Sequence, residues 1–269
     1  MAIHPTAIVE DGAKIGDGVT IGAWCRVGAN VTLHDGVTLQ SSVVIEGDTE
    51  IGARTLVHSF AVLGGPPQHL GYKGEATRLK IGADCIIREY STANLGTVEG
   101  RGETIIGDKC FLMTGAHVAH DCIIGSNVIF ANNATLGGHV VVGDNVFLGG
   151  LCAIHQFCRV GDFAFIGGCA GVPTDVIPFG SATGNHAQLS GLNIVGMKRR
   201  GLARATIHDL RGAYKHLFSG EGSFKERLEA VASAYAQNAE VMRIVNFIQE
   251  DTRRPLMAPP RRSWAAGDD

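Results

Sequence analysis

The sequence predicts a mainly β fold, a parallel β-helix of hexapeptide repeats followed by a C-terminal α-helical domain. An aliphatic residue recurs every six positions through most of residues 3–172, small residues occupy a second periodic slot, and the pattern becomes helical after about residue 197. A period of six fits neither an α-helix nor a coiled coil. It does fit a coil with three short flat faces, each supplying one large inward side chain.

The six-residue repeat is interrupted twice. Its aliphatic positions are Ile3, Val9, Ile15, Ile21, Val27, Leu33, Leu39, Ile45, Ile51, Val57, Leu63, Ile81, Ile87, Ile106, Leu112, Val118, Ile124, Phe130, Leu136, Val142, Leu148, Ile154, Val160, Ile166 and Val172, with Ala93 in phase. Three hexads make one coil, and successive coils stack at about 4.8 Å, the spacing between paired strands. The breaks near 64–80 and 94–105 predict loops, which commonly form the binding face of a solenoid.

The slot two residues before each aliphatic residue predicts how the narrow interior is packed. It holds small or β-branched residues such as Ala13, Val19 and Val31, and six of the seven cysteines, all but Cys169, fall in it. An odd number of cysteines without a CxxC pair argues against a disulfide framework. We therefore expect these thiols to be small apolar core residues and not metal ligands.

The pattern beyond about residue 197 predicts three helices, over Ala203–Leu217, Phe224–Ala236 and Ala239–Gln249. Helices of this kind would cap the open end of the β-helix. We therefore expect a β-helix over residues 1–190 and a helical domain over residues 191–269. The Pro- and Arg-rich tail from Pro255 is expected to fray.

Charge and composition argue against several classes of function. The net charge of −3 offers no general case for nucleic-acid or membrane-surface binding. No apolar run approaches the ~18 residues of a membrane span, and the start of the chain carries no secretory signal, so we expect a cytoplasmic protein without stable membrane insertion. The basic run Lys198–Arg200 is either a solvated helix start or a dock for an acidic partner or a phosphate.

Stacking at intervals of one coil brings polar residues together. The residue 18 positions after His120 is Gly138, and the residue 18 positions after Asp121 is His139. The predicted patch comprises His120, Asp121, Gly138, His139, His155 and Gln156, with His117 half a hexad before His120. None of these residues occupies an inward aliphatic slot, so we expect their side chains to point outwards.

Three chemistries suit this patch. A histidine near its usual pKa of about 6.5 is a general base at neutral pH, and Asp121 would raise the basicity of His120 and hold its tautomer. Adjacent residues on a straight strand face opposite ways, so a direct contact between His120 and Asp121 requires a corner; otherwise Asp121 could work through His139. The Gly137–Gly138 backbone could bind an oxyanion, and three imidazoles could hold zinc with an open position.

The same residues carry a resemblance to a known family. The matching runs are Ala116–Cys122, Ala131–Leu136 with Gly138–His139, His155–Phe157, Gly184–Ala187, Gly191–Ile194 and Lys198–Gly201. Together they resemble the acyl-[acyl-carrier-protein]–UDP-N-acetylglucosamine O-acyltransferases of lipid A synthesis. The known hexapeptide-repeat β-helices are left-handed, so the resemblance implies a left-handed parallel β-helix.

The resemblance implies a homotrimer with active sites between subunits, no metal and no other cofactor, the acyl donor being carried on the phosphopantetheine of acyl carrier protein. His120 would take the proton from the 3-hydroxyl of UDP-N-acetylglucosamine as it attacks the thioester, Asp121 would orient His120, and the Gly138 N–H would bind the oxyanion. The implied substrate-binding residues are Gln68, His69, Tyr72, Lys73, His117, His139, His155, Gln156, His186, Asn193, Arg199 and Arg200. A glycine at Gly168 would leave a groove for a long acyl chain.

Departures from the family pattern leave alternatives open. His69 and Gly71 stand where the family has an acidic and a basic residue, Asn94 replaces a frequent histidine, and Val195 a frequent glutamate. A 3-amino analogue of the sugar, acylated to an amide, is therefore an alternative acceptor. A γ-type zinc carbonic anhydrase is a further alternative with interfacial histidines. A non-catalytic solenoid would present a flat Thr-x-Thr array, which this sequence lacks.

Overall fold

The computed structural model describes residues 2–219, 221–250 and 252–260. Short β-strands occupy residues 2–192 and helices occupy residues 194–249. The strands pair into three sheets of 11, 9 and 8 strands, and the chain visits the sheets in turn. The predicted parallel β-helix of hexapeptide repeats, followed by helices, is therefore confirmed.

The three sheets are named here in the order in which the chain enters them. Sheet A contains β1 (Ala2–Ile3), β4 (Thr20–Ile21), β7 (Thr38–Leu39), β10 (Leu56–Val57), β13 (Ile86–Ile87), β16 (Phe111–Leu112), β19 (Ile129–Phe130), β22 (Phe147–Leu148), β25 (Phe165–Ile166), β27 (Gly180–Thr183) and β28 (Gln188–Leu192). Sheet B contains β2 (Ile8–Val9), β5 (Arg26–Val27), β8 (Val44–Ile45), β11 (Val62–Gly65), β14 (Thr92–Asn94), β17 (His117–Val118), β20 (Thr135–Leu136), β23 (Ala153–Ile154) and β26 (Gly171–Val172). Sheet C contains β3 (Lys14–Ile15), β6 (Thr32–Leu33), β9 (Asp48–Ile51), β12 (Arg78–Ile81), β15 (Glu103–Ile106), β18 (Ile123–Ile124), β21 (Val141–Val142) and β24 (Arg159–Val160).

The strand register shows where the repeat is interrupted. In regular coils each residue pairs with the equivalent residue of the next coil, as Ile21 does with Leu39. Val57 pairs with Ile87, and Ile87 with Leu112, so two coils contain extra residues. These residues lie between β11 and β12 and between β14 and β15, in the two predicted insertions. We call residues 66–77 the first loop and residues 95–102 the second loop.

The repeated aliphatic side chains fill the interior between the sheets. Leu63, Ile87 and Phe130, for example, are fully buried, and burying one such side chain stabilises the fold by roughly 1.5–3 kcal/mol. The six cysteines of the second slot are buried, as the sequence predicts, and Cys169, which lies outside that slot, is exposed. Burial raises the pKa of the Cys122 and Cys158 thiols to about 12, so neither is a useful nucleophile at neutral pH.

The helical region contains α1 (Ile194–Arg199), α2 (Arg204–Ser219), α3 (Phe224–Ala234) and α4 (Ala239–Gln249). The three longer helices match the predicted ones to within two residues at each end, whereas the short α1 is not predicted. In α3 the Ser223 hydroxyl accepts from the Glu226 N–H while the Glu226 side chain accepts from the Ser223 N–H, a capping box that fixes the start of the helix. Among the described helices, none has the length and apolarity needed to span a membrane.

The segment after α4 is anchored against the last coil. The Asp175 N–H donates to the Pro255 carbonyl at 2.9 Å, the Met257 N–H donates to the Asp175 carbonyl at 2.8 Å, and Met257 is buried. The prediction that the tail frays from Pro255 is therefore wrong as far as residue 260, and residues 261–269 lie outside the described part of the chain. We call residues 252–258 the C-terminal strap.

Candidate active site

His120 and Asp121 lie at a corner of the β-helix, between β17 of sheet B and β18 of sheet C. Asp121 has a φ of 61°, in the left-handed region, so the chain turns sharply at this point. The two side chains consequently meet, and His120 Nδ1 lies 2.8 Å from Asp121 Oδ2. This is the direct contact for which a corner was required. The other predicted route is longer, because His139 Nε2 lies 3.9 Å from the same oxygen.

The second loop holds the Asp121 carboxylate. Thr97 donates its N–H at 3.1 Å and its hydroxyl at 2.7 Å, and Arg101 donates its backbone N–H at 2.7 Å. Burial by itself would raise the pKa of Asp121, but the hydrogen bonds from His120, Thr97 and Arg101 outweigh it and keep that pKa well below its ordinary range. An ionised Asp121 only accepts hydrogen bonds, so it holds the His120 proton on Nδ1 and leaves Nε2 as the basic atom.

The burial of Asp121 corrects one expectation. The side chains of this corner lie outside the packed interior, as predicted, but Asp121 is fully buried and His120 is 9% exposed. The second loop covers Asp121, which shields its hydrogen bond with His120 from water.

Two other imidazoles contact His120. The ring centroid of His139 is 5.1 Å away at an interplanar angle of 88°, and that of His69 is 5.6 Å away. On its other side His139 stacks on the Phe157 ring at 4.5 Å. Burial lowers the pKa of His139, with Asp121 opposing and His120 reinforcing that shift, so His139 is neutral at pH 7.

His117 lies on β17, one half-hexad from the corner, as the sequence predicts. Its Nδ1 makes a 2.7 Å hydrogen bond with the Thr92 hydroxyl on the adjacent strand. Burial, together with the charge of His120, lowers the pKa of His117. A neutral His117 adds no positive charge beside the candidate base.

Gly138 stacks over His120, in agreement with the one-coil spacing. A Cβ placed on Gly138 would lie 2.6 Å from His120 Cε1 and 2.7 Å from Nε2, so any other residue would displace the imidazole. Within the described part of the chain, the Gly138 N–H donates to no acceptor. It is therefore available to stabilise an oxyanion next to the candidate base.

His120 lies in the wall of a cavity of about 570 Å³, which we call the catalytic cavity. The charged and polar residues of that wall include His69, Glu99, Arg101, His120, His139, Gln156, Arg159 and Arg253. A cavity of this size is in the range that holds small-molecule substrates. A candidate base in the cavity wall, with a buried carboxylate and a candidate oxyanion donor in contact with its ring, suits acyl transfer.

The C-terminal strap fixes His155, which lies beside this cavity. Arg254 Nη2 lies 2.6 Å from His155 Nδ1, and Arg254 Nε donates to the Gln156 carbonyl at 3.0 Å. A guanidinium can only donate, so His155 Nδ1 accepts and the proton of the neutral imidazole is on Nε2. The 3.2 Å contact between His155 Nδ1 and the Gln156 carbonyl is longer and does not change this assignment.

Comparison with known proteins identifies the family. Residues 175–257 match domain 2 of UDP-N-acetylglucosamine O-acyltransferase, and residues 103–138 match the bacterial transferase hexapeptide repeat. An acyl-[acyl-carrier-protein]–UDP-N-acetylglucosamine O-acyltransferase of Caulobacter vibrioides is 57% identical over 261 residues, covering 97% of this chain and 99% of the relative. This chain belongs to the UDP-N-acetylglucosamine O-acyltransferase family.

Solved structures of the family agree with the fold. A crystal structure of a UDP-N-acetylglucosamine acyltransferase superposes with a TM-score of 0.93 at 41% identity, covering 97% of this chain and 100% of the other. The UDP-N-acetylglucosamine acyltransferase from Campylobacter jejuni superposes with a TM-score of 0.89 at 39% identity, covering 96% and 100%. The family resemblance inferred from the sequence motifs is thereby confirmed.

Three of the implied substrate-binding residues lie elsewhere on this chain. Asn193, Arg199 and Arg200 line a second cavity of about 570 Å³, between sheet A and α1. The Asn193 side chain also caps α1, accepting from the Gly196 N–H at 2.9 Å. Within the described residues, none lines both cavities, so a single chain does not bring Arg200 to His120.

The remaining predicted residues are dispersed. The Tyr72 hydroxyl donates to the Glu75 carbonyl at 3.0 Å, and Tyr72 lines a different cavity near the first coils. Exposed predicted positions that do not line the catalytic cavity are Gln68, Lys73, Gly168 and His186. Their roles in substrate binding stay predictions.

A metal could in principle be held at the same corner. Ligand atoms of His120, Asp121 and His139 lie within 4.8 Å of one another. This donor set contains two imidazoles and a carboxylate, not the three imidazoles expected of a zinc carbonic anhydrase. Asp121 also already accepts hydrogen bonds from Thr97 and Arg101. Together with the family membership, this environment favours proton transfer over metal chemistry.

Several residues that form this site are not predicted by the sequence: Thr97, Arg101, Phe157, Arg253 and Arg254. Phe157 was within reach of the stacking argument, because it lies one coil after His139. The other four belong to the second loop and the C-terminal strap. These segments lie outside the repeat, so the 18-residue coil spacing does not predict which residues they bring to the site.

Proposed function

We propose that this chain transfers a 3-hydroxyacyl group from acyl carrier protein to the 3-hydroxyl of UDP-N-acetylglucosamine, the first step of lipid A biosynthesis. The observation that carries the proposal is the buried hydrogen bond from Asp121 to His120, a residue of the catalytic cavity wall. The extensive identity to relatives that bear this activity in their names supports the choice of substrates.

In the proposed reaction, His120 Nε2 takes the proton from the 3-hydroxyl while that oxygen attacks the thioester carbonyl. The Gly138 N–H stabilises the resulting tetrahedral oxyanion, and Asp121 stabilises the imidazolium. The C–S bond then breaks, and His120 gives the proton to the departing phosphopantetheine thiolate. The products are the 3-O-acyl sugar nucleotide and the free thiol of the carrier.

The active form in this proposal is a homotrimer with its active sites between subunits. The separation of the catalytic cavity from the cavity of Asn193, Arg199 and Arg200 supports it, because a neighbouring subunit could supply the second set. The basic run at Lys198–Arg200 would then meet the diphosphate of the acceptor or the acidic surface of the carrier.

Mixed oligomers test the shared site. Chains carrying His120→Ala and chains carrying Arg200→Gln are each expected to be inactive alone. Unfolding and refolding the two together should restore part of the activity, because some interfaces then contain an intact His120 and an intact Arg200. Mass spectrometry of the intact assembly confirms that mixed trimers formed, and mixed trimers without recovered activity would contradict the proposal.

A product assay tests the reaction itself. Hydroxyacyl carrier proteins of several chain lengths are offered with UDP-N-acetylglucosamine and with its 3-amino analogue, and the product is identified by mass. The expected product is an ester of UDP-N-acetylglucosamine. A preference for the amide would instead reassign the acceptor, in line with the unusual His69, Gly71 and Asn94. Zinc-dependent hydration of CO₂ without acyl transfer would replace the proposal by the carbonic anhydrase alternative.

A further inference from the structure

The C-terminal strap places in the catalytic cavity an arginine that the proposed mechanism does not use. The Arg253 guanidinium lies over the Phe157 ring, 4.6 Å from its centroid. Phe157 stacks on His139 at 4.5 Å, and His139 contacts His120 at 5.1 Å. The four side chains form one continuous series of contacts, edge-to-face between His139 and His120, with the candidate base at its buried end and an exposed cation at its outer end.

The strap is fixed on both sides of Arg253. The Thr252 hydroxyl donates to Asp175 Oδ2 at 2.8 Å, and Arg254 donates to the Gln156 carbonyl and contacts His155. Asp175 is fully buried and bonds the strap backbone at Pro255 as well. The Arg253 guanidinium is thus preorganised on the cavity wall, which reduces the entropy lost when it binds a ligand.

Two of the arginines in the cavity wall differ from the third in their ion pairs. Among the described residues, neither Arg253 nor Arg101 has an acidic side chain within ion-pair distance. The third arginine of the wall differs, because Arg159 pairs with Asp175 at 2.7 Å and with Glu250 at 2.6 Å.

The charges of these two arginines act on the catalytic rings. Burial is the main cause of the lowered pKa of His139, and the charges of Arg101 and Arg253 add to it. Glu99 also lines the cavity and Asp121 is ionised beside it, so the cavity as a whole is not strongly positive. The guanidinium of Arg253 itself favours an anionic group at the outer end of the wall.

We propose that Arg253, assisted by Arg101, binds a phosphate ester in the catalytic cavity, and that this phosphate is the phosphodiester of the donor's phosphopantetheine arm. The inference rests on the proposed function, which supplies two phosphate-bearing substrates. A guanidinium presents a planar fork of donors that matches phosphate geometry, and it is more weakly hydrated than an ammonium group.

The position of Arg253 favours the donor over the acceptor. Two aromatic rings separate its guanidinium from the His120 ring. In the donor, a long flexible arm likewise separates the phosphate from the thioester that must reach His120. In the nucleotide sugar, only the sugar ring separates the diphosphate from the 3-hydroxyl. A cation remote from the base along the cavity wall therefore suits the donor phosphate.

Three acyl donors that share one thioester test the proposal: acyl carrier protein, free acyl-4′-phosphopantetheine, and acyl-pantetheine without a phosphate. With UDP-N-acetylglucosamine saturating, Arg253→Gln should lower kcat/KM about ten-fold or more for the two phosphate-bearing donors, the loss expected for a charge-assisted hydrogen bond. It should leave kcat/KM for acyl-pantetheine and the KM for UDP-N-acetylglucosamine unchanged. Arg253→Lys should recover part of the loss, because it keeps the charge without the fork.

Matched controls separate this role from others. Lys225→Gln removes one exposed positive charge on α3 and should behave as wild type with all three donors, and thermal denaturation verifies that each variant is folded. An equal loss of kcat/KM with acyl-pantetheine would overturn the proposal in favour of a purely structural role. A rise confined to the KM for UDP-N-acetylglucosamine would overturn the assignment to the donor and place the acceptor diphosphate at Arg253.

The same assay distinguishes this inference from the proposed function. If the wild-type protein transfers an acyl group from none of the donors, the proposed function itself fails. If wild type is active and Arg253→Gln affects all donors alike, only the phosphate site fails. Calorimetric titration with 4′-phosphopantetheine and with pantetheine gives a readout independent of turnover: wild type should prefer the phosphate form, and Arg253→Gln should lose that preference.

Discussion

At two kinds of corner in the β-helix, an aspartate carboxylate accepts hydrogen bonds from neighbouring backbone, but the two carboxylates differ in their exposure to solvent. At the corner between sheets C and A, Asp35 accepts the Asp17 N–H at 2.8 Å and Asp144 accepts the Ser126 N–H at 2.7 Å. These carboxylates are exposed and stabilise the turn of the preceding coil. At the corner between sheets B and C, Asp121 is fully buried and accepts hydrogen bonds from His120 and from the second loop.

The difference arises from the inserted loop and not from the repeat. On a regular coil, the corner carboxylate is exposed and accepts one backbone N–H from the preceding coil. At Asp121, the second loop covers the carboxylate and supplies the Thr97 N–H, the Thr97 hydroxyl and the Arg101 N–H. The result is a fixed buried anion beside His120, whose electrostatic effect is stronger because water is excluded. In this solenoid, the proposed chemistry therefore depends on the interruption of the repeat.

The largest expected effect, on kcat, follows from removing the proposed base at the covered corner. His120→Ala should lower kcat by about 10²-fold or more, as expected for loss of a general base. The matched control is His34→Ala, an exposed histidine paired with Glu50 on the regular coils, which should retain wild-type kcat. Steady-state kinetics with saturating substrates measures both variants. Near-normal turnover of His120→Ala would exclude His120 as the base.

A pair of aspartate substitutions compares the two corners directly. Asp121→Asn keeps the shape but removes the charge that orients His120 and stabilises its protonated form, so kcat should fall by about 10²-fold. Asp144→Asn makes the same change at an exposed corner and should leave kcat unchanged. Equal kcat values for the two variants would show that the covering loop gives Asp121 no special role.

A smaller effect, on stability, is expected from removing one hydrogen bond between the second loop and Asp121. Thr97→Val removes one hydroxyl donor to Asp121 and should lower the free energy of unfolding by about 1–3 kcal/mol at pH 7, whereas Thr97→Ser should not. The pKa of Asp121 is lowered in the folded protein, so its contribution to stability is present above the unfolded pKa of about 3.9 and is lost as the pH falls further. The unfolded chains of wild type and variant have the same pKa, so the Thr97→Val deficit should stay constant through mildly acidic pH. It should shrink only as the pH falls toward the lowered pKa of the folded Asp121, and a deficit that grows in acid would contradict this account. Denaturant titrations at several pH values measure it.

The fold was predictable because the repeat determines burial directly. Every sixth residue faces the interior, so the period alone identifies core positions such as Leu63 and Phe130, both of which are fully buried. The short helix α1 and the C-terminal strap were not predictable in this way. The strap is held by Asp175, a residue about 80 positions earlier in the chain, and no local pattern signals that contact.

The site was predictable only where it follows the coil spacing. That spacing placed Gly138 over His120 and brought His139 to the same corner. Burial of Asp121 by Thr97 and Arg101 depends on the conformation of an aperiodic loop. The location of Arg200 on another face of the chain depends on how the helices fold back against sheet A, which the helical period does not specify.

The smallest expected effect concerns the pH dependence of stability at a buried histidine. Burial lowers the pKa of His117 in the folded protein, so as the pH falls through the unfolded value of about 6.5, the unfolded chain gains a proton before the folded one does. Protonation then favours unfolding, and stability declines from pH 7.5 to pH 5.5. His117→Gln should decline less steeply than wild type over this range. His34→Gln, which removes an exposed histidine, serves as the matched control. If the free energy of unfolding changes with pH equally steeply in both variants, the pKa of His117 is not lowered by burial. The enclosed and exposed histidines of the β-helix would then contribute equally to the pH dependence of stability.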